Sequence, residues 1–114
     1  MDGEDTLGQI SISTSAIAQI VGLTAVECYG VVGMAGRGGR FGRLLLGEAP
    51  ERGVDVVQSD RGLSLTLHVV AEHGLNLADV AATLRSRVTH EVARLTGLKV
   101  ASVEVHVDDV RTSP

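Results

Sequence analysis

From Leu77 to Leu95, apolar residues recur at steps of three and four, and Leu77, Val80, Ala81, Leu84, Val88, Val92 and Leu95 fall on one stripe of a helix. Thr83, Arg87, His90, Glu91 and Arg94 fall on the opposite face. Asn76 is placed to cap this helix, with Asp79 three residues on in a capping-box-like arrangement, and Gly97 is placed to end it in the left-handed conformation. Leu98 can then fold back on the last turn. After Lys99 the period drops to two, with Val103, Val105 and Val107 on one side and Glu104, His106 and Asp108 on the other. That alternation predicts a half-buried strand.

The first half is patterned more weakly. Ile10 and Ile12 alternate with Gln9 and Ser11, which predicts a short strand. Ser13 or Ser15 then caps a helix running to about Cys28, whose inward stripe is Ile17, Ile20, Val21, Thr24 and Cys28, with Gly30 as its stop. Residues 31–35 read as a second short strand. Between residues 36 and 53 periodicity is lost and glycine, arginine and Pro50 dominate, which predicts a long mobile loop. Residues 54–58 and 63–73 alternate on either side of Ser59-Asp60-Arg61-Gly62, a tight-turn sequence, and are expected to form the longest paired strands.

The resulting order, β-α-β-loop-β-β-α-β, predicts an α+β fold: a small mixed β-sheet with two amphipathic helices on one face. One domain over residues 8–110 is expected, between an acidic tail at 1–7 and a short tail at 111–114. On the second hairpin strand the uncovered face would carry Ser64, Thr66, His68, Val70 and Glu72, polar enough to be solvated.

Three segments together resemble the alkaline shock protein family, the envelope stress response proteins of Gram-positive bacteria. They are Gly8-Gln9-Ile10-Ser11-Ile12-Ser13, Tyr29-Gly30-Val31-Val32-Gly33-Met34-Ala35, and the helix and strand from Gly74 to Val107. The resemblance runs in order over roughly residues 8 to 110. It implies a non-enzymatic, self-associating protein at the cytoplasmic face of the membrane, recruited there by a small membrane-anchor protein and supporting cell envelope homeostasis. It assigns no site residues.

Composition narrows this further. A chain of 114 residues, 44% hydrophobic and 21% charged, has the make-up of one domain that buries roughly two-thirds of its unfolded surface. No apolar run approaches the ~20 residues needed to cross a bilayer, and Met1-Asp2-Gly3-Glu4-Asp5 does not resemble a signal peptide. A cytoplasmic location is therefore expected, peripheral to the membrane through a partner and without direct insertion. A lone Cys28 on an apolar stripe reads as a packed thiol.

Net charge is −4, which weakens any general affinity for nucleic acid or anionic lipid. Arg37, Arg40 and Arg43 nevertheless cluster among glycines and are candidates for anion or partner contact. Acidic ends and this basic middle would favour head-to-tail contact between subunits. The alternative function is a small nucleic-acid-binding module using the Gly/Arg-rich loop, because Gly39-Arg40-Phe41-Gly42 matches the four-residue loop of KH-type domains. Against it, that loop normally joins two helices, and of Phe, Tyr and Trp the chain offers only Tyr29 and Phe41 for stacking.

Catalytic chemistry finds no support at motif spacing, so no catalytic, cofactor-binding or metal residue is assigned and no cofactor is expected. His68, His106, Glu72 and Asp108 would share the outer sheet face only if the hairpin's second strand and the last strand are neighbours. A charged solvent face or a subunit contact is then a simpler reading than zinc. Arg87, Glu91 and Arg94 are spaced to form a charge ladder on the helix.

Overall fold

A computed structural model describes residues 12–36 and 50–112. In chain order they form α1 (Thr14–Val26), β1 (Val31–Met34), a 3-10 helix (Pro50–Gly53), β2 (Val54–Ser59), β3 (Gly62–Glu72), α2 (Leu77–Thr96) and β4 (Val100–Arg111). The strand expected over residues 8–12 and most of the loop expected from residue 36 lie outside the described residues. Ile12 is described, and it packs half-buried against the core. The last four residues of the expected loop are the 3-10 helix.

Helix boundaries follow from local chemistry. Ser13 caps α1, its Oγ accepting from the Ala16 amide at 3.0 Å, and Asn76 caps α2, its Oδ1 accepting from the Asp79 amide at 3.2 Å. Gly97 closes α2 in the left-handed conformation, φ 74°, and its amide returns to the Ala93 carbonyl at 2.9 Å. Thr96 reinforces this end: its hydroxyl donates to Val92 O and accepts from the Leu98 amide, which holds Leu98 against the core.

The sheet is mixed and centred on β3. β2 pairs antiparallel with its first half, from Ser59↔Gly62 to Val54↔Leu67, and β1 pairs antiparallel with its second half, from Met34↔Val69 to Val31↔Ala71. These two short strands therefore lie end to end along one edge of β3. β4 runs parallel along the other edge from Leu63↔Val100 to Glu72↔Arg111, interrupted by bulges at Ala101 and Asp108. β4 thus follows β3 almost from end to end while β2 stops at Leu67, so the longest pairing is not the hairpin expected from sequence. Long-range parallel pairing leaves no local signature, whereas a tight turn does.

Both helices cover one sheet face. Leu63, Leu65, Leu67 and Val69 of β3 are buried against Ile17, Val21 and Ala25 of α1 and Leu84, Val88 and Val92 of α2. The stripe expected on α2 is thus right at its centre and wrong at its ends, because Leu77 is 37% and Leu95 53% exposed. On the opposite face Val70 is fully buried, as is Ala35, and neither belongs to the main core cluster. That face is consequently not solvated along its whole length.

The junction of β1 and β2 is sterically tight. The Ala35 amide donates to the His68 carbonyl at 2.8 Å, and a Cβ at Gly53 would stand 2.9 Å from Ala35 O, 3.0 Å from His68 O and 3.1 Å from Met34 Cβ. Backbone atoms cannot swing aside as side chains do. Gly53→Ala is therefore expected to destabilise the domain by about 1–3 kcal/mol, the usual cost of overpacking. Urea unfolding measures this; an unchanged midpoint would show that β1 and β2 can part without loss.

Candidate functional site

The outer face of the sheet gathers imidazoles and carboxylates of three strands into one row. Pairing of His68 with His106 across β3 and β4 stacks the two imidazoles, with ring centroids 4.9 Å apart and planes 20° from parallel. A carboxylate only accepts hydrogen bonds, so the His68 Nδ1–H donates to Asp108 Oδ2 at 3.2 Å and the His106 Nε2–H to Glu104 Oε1 at 3.1 Å. On the far side of His68, Nε2 lies 4.0 Å from Asp55 Oδ2 on β2. Five side chains from three strands thus form a line of carboxylates and imidazoles.

The sequence named His68, His106 and Asp108 for this face, and the strand order brings them together. Glu72 is on the same strand as His68, but neither imidazole takes it as a partner. Asp55 was not singled out, although alternation in residues 54–58 is the signal that would have placed it opposite the core. The bulge at Asp108 could not be read from sequence.

Chemically the row is a charged surface. Each imidazole meets carboxylates, and neither is hydrogen-bonded to a serine, threonine or cysteine side chain among the described residues. No group of three or more His, Cys, Asp or Glu side chains among the described residues is arranged to hold a metal ion. Three clefts on the described surface, with volumes of about 180, 280 and 240 Å³, are smaller than usual small-molecule sites, and Asp55 lines the second of them. The last of them lies between Tyr29 and the start of α2, lined by Leu75, Asn76, Val80 and Thr83.

Tyr29 itself is 76% exposed, and Leu23 and Val26 of α1 are also exposed. A helix that is apolar on its outer side as well as its inner one carries more than the core requires. On α2, Arg94 pairs with Glu91 at 2.8 Å, but Arg87 lies 4.0 Å from Glu27 at the end of α1. The charge ladder expected from spacing is therefore split: one rung stays on α2 and the other ties α2 to α1. The Arg94 hydrogen bond holds the Glu91 carboxyl below its ordinary range, and the Arg111 hydrogen bond does the same for Asp109, helped by the Val110 amide.

Arg37, Arg40 and Arg43 lie outside the described residues. Also among the described residues, no helix is long and apolar enough to cross a membrane.

Comparison with known proteins settles the family. The alkaline shock protein 23 family, described as having a cell envelope-related function, matches residues 2–112. The chain belongs to that family. Among curated relatives of this alkaline shock family member, the uncharacterized protein YloU of Bacillus subtilis is 34% identical over 109 residues, covering 93% of this chain and 91% of YloU. The uncharacterized protein Spy1614 of Streptococcus pyogenes is 33% identical over 107 residues, covering 91% and 88%. A stress response regulator gls24 homolog of Streptococcus pyogenes is 31% identical over 109 residues, which is 92% of this chain but 60% of that longer protein. No solved structure matches the chain.

Within this alkaline shock family chain, two residues singled out from sequence have clear structural duties. Gly97 ends α2, and Cys28 follows α1 at 4% exposure, its Sγ–H donating weakly to Thr24 O at 3.5 Å. Burial pushes the thiol pKa up, partly opposed by the Arg87 charge. With a folded pKa above the unfolded one, the thiol's contribution to stability is complete below the unfolded pKa of ~8.5 and is lost as pH rises through the folded value. Stability of the native chain is thus expected to fall more steeply above about pH 8.5 than that of Cys28→Ala. Urea midpoints from about pH 7 to 10 measure the difference, and parallel curves would contradict the assignment.

Proposed function

We infer that this chain is a non-enzymatic, self-associating protein that works at the cytoplasmic face of the membrane and supports envelope homeostasis under stress. The observation that carries the reading is the match of an envelope-related family over residues 2–112, nearly the whole chain. Relatives named as stress response regulators point the same way.

Physical features of the domain support an interaction role. Its outer face presents imidazoles and carboxylates in an open row, a surface that a protein partner can read by charge and hydrogen bonding. Its helix layer leaves Leu23, Val26 and Tyr29 exposed near one another in sequence, at the end of α1 and the turn after it. Neither helix has the strongly basic polar face of an interfacial anchor: α1 contains no Lys or Arg, and α2 balances Arg85, Arg87 and Arg94 with Asp79 and Glu91. Recruitment through a membrane-anchored protein partner accords with this better than direct lipid binding.

Two fractions test the location. Membranes sedimented from the native cells are expected to carry the protein, and protein-free liposomes floated with the purified chain are expected to leave it behind. Flotation with liposomes alone would remove the need for a partner. Protein confined to the soluble fraction, under stress as well as in growth, would overturn the membrane location.

A further inference from the structure

β4 runs along the rim of the sheet, and among the described residues its outer edge pairs with nothing. Its backbone polarity can be read from β3. The Leu63 and His73 amides donate to the Lys99 and Arg111 carbonyls, while the His68 carbonyl and the Glu72 amide bond to β1's side. Odd-numbered residues of β3 therefore face β4. In a parallel ladder such residues bond to the neighbours flanking their partners. Leu65↔Val103, Leu67↔Val105 and Val69↔Val107 are the partners, so Ser102, Glu104 and His106 bond inward. Val103, Val105 and Val107 aim their N–H and C=O groups outward.

These three residues lie in the regular stretch 102–107, bounded by the bulges at Ala101 and Asp108, and Val105 is their centre. A long edge with open backbone groups is a template for another strand. A second copy of the same stretch, run antiparallel about a two-fold axis at Val105, fits it on three counts. Val105 meets its own copy and Val103 meets Val107, so all three outward residues become hydrogen-bonded pairs. The half-buried valines continue the apolar layer from one subunit to the next. Glu104 falls opposite His106 of the second copy, twice, in the closer non-hydrogen-bonded pairs where side chains meet. Moving the axis to His106 would instead set Glu104 against Asp108, carboxylate on carboxylate.

We propose that the outer edge of β4 joins two copies of this chain, through an antiparallel β4–β4 pairing centred on Val105, into one continuous sheet with four helices on the same side. The proposal rests on the self-association inferred above and names the surface that performs it. Such a contact is isologous and closes at two copies. Larger assemblies then use a second surface.

Val105→Pro tests this selectively, since the amide it removes points away from β3, where proline is tolerated on an edge strand. In size-exclusion chromatography with light scattering, the wild type is expected to dimerise. Val105→Pro is expected to keep its circular dichroism and weaken dimerisation on the order of 10- to 100-fold, from two lost central hydrogen bonds. A second measurement does not depend on proline being tolerated. In its own dimer, Glu104→Lys sets the introduced ammonium against His106, and His106→Glu sets the introduced carboxylate against Glu104. Mixed, the two variants place the ammonium of one against the new carboxylate of the other, so tagged copies are expected to co-purify as the heterodimer in preference to either homodimer.

A folded Val105→Pro that dimerises like the wild type, or charge variants that mix statistically, would move the interface off β4 while leaving self-association standing. A wild type that stays monomeric at every concentration would overturn both.

Discussion

The fold hangs on a single strand that must satisfy two unlike neighbours. β3 buries Leu63, Leu65, Leu67 and Val69 beneath both helices, and its backbone takes β4 along one edge and β2 followed by β1 along the other. Because β1 and β2 share an edge, their ends must meet, and they meet at the carbonyl of His68 against a glycine that leaves no room for a Cβ. The same residue's imidazole stands on the outer face between Asp55 and Asp108. Backbone closure of the sheet and the polar row on its surface are thus set at one position.

From that constraint the surface chemistry follows. Parallel pairing in register places His106 beside His68, and alternation along β4 puts Asp108 on the same side, where its carboxylate meets the His68 imidazole. The helices take the other face, which leaves the outer row and, among the described residues, the rim of β4 open to other molecules. Membership of an envelope-related family agrees with a domain whose notable chemistry is spread over surfaces.

Much of this was legible in the chain. The caps at Asn76 and Gly97, the α2 stripe from Val80 to Val92, the alternation of Val103, Val105 and Val107, and the turn at Ser59 to Gly62 are local signals, and each element stands where its signal placed it. What escaped was long-range. Which strand β4 would join, the shared edge of β1 and β2, and the two bulges depend on contacts between residues tens of positions apart. Arg87 turned to Glu27 rather than Glu91 for the same reason: helical spacing sees neighbours on one helix and not the end of another. Asp55 was missed because its strand is short and exposed at one end, so its alternation is weak.

Hydrogen exchange at single amides of the wild-type chain, followed by NMR at low and high protein concentration, is the decisive measurement of the β4–β4 pairing. The Val103, Val105 and Val107 amides are expected to exchange freely in dilute protein and to become protected as concentration rises, while Glu104 and His106, already bonded to β3, stay protected throughout. Association that leaves Val103, Val105 and Val107 exchanging freely would contradict it.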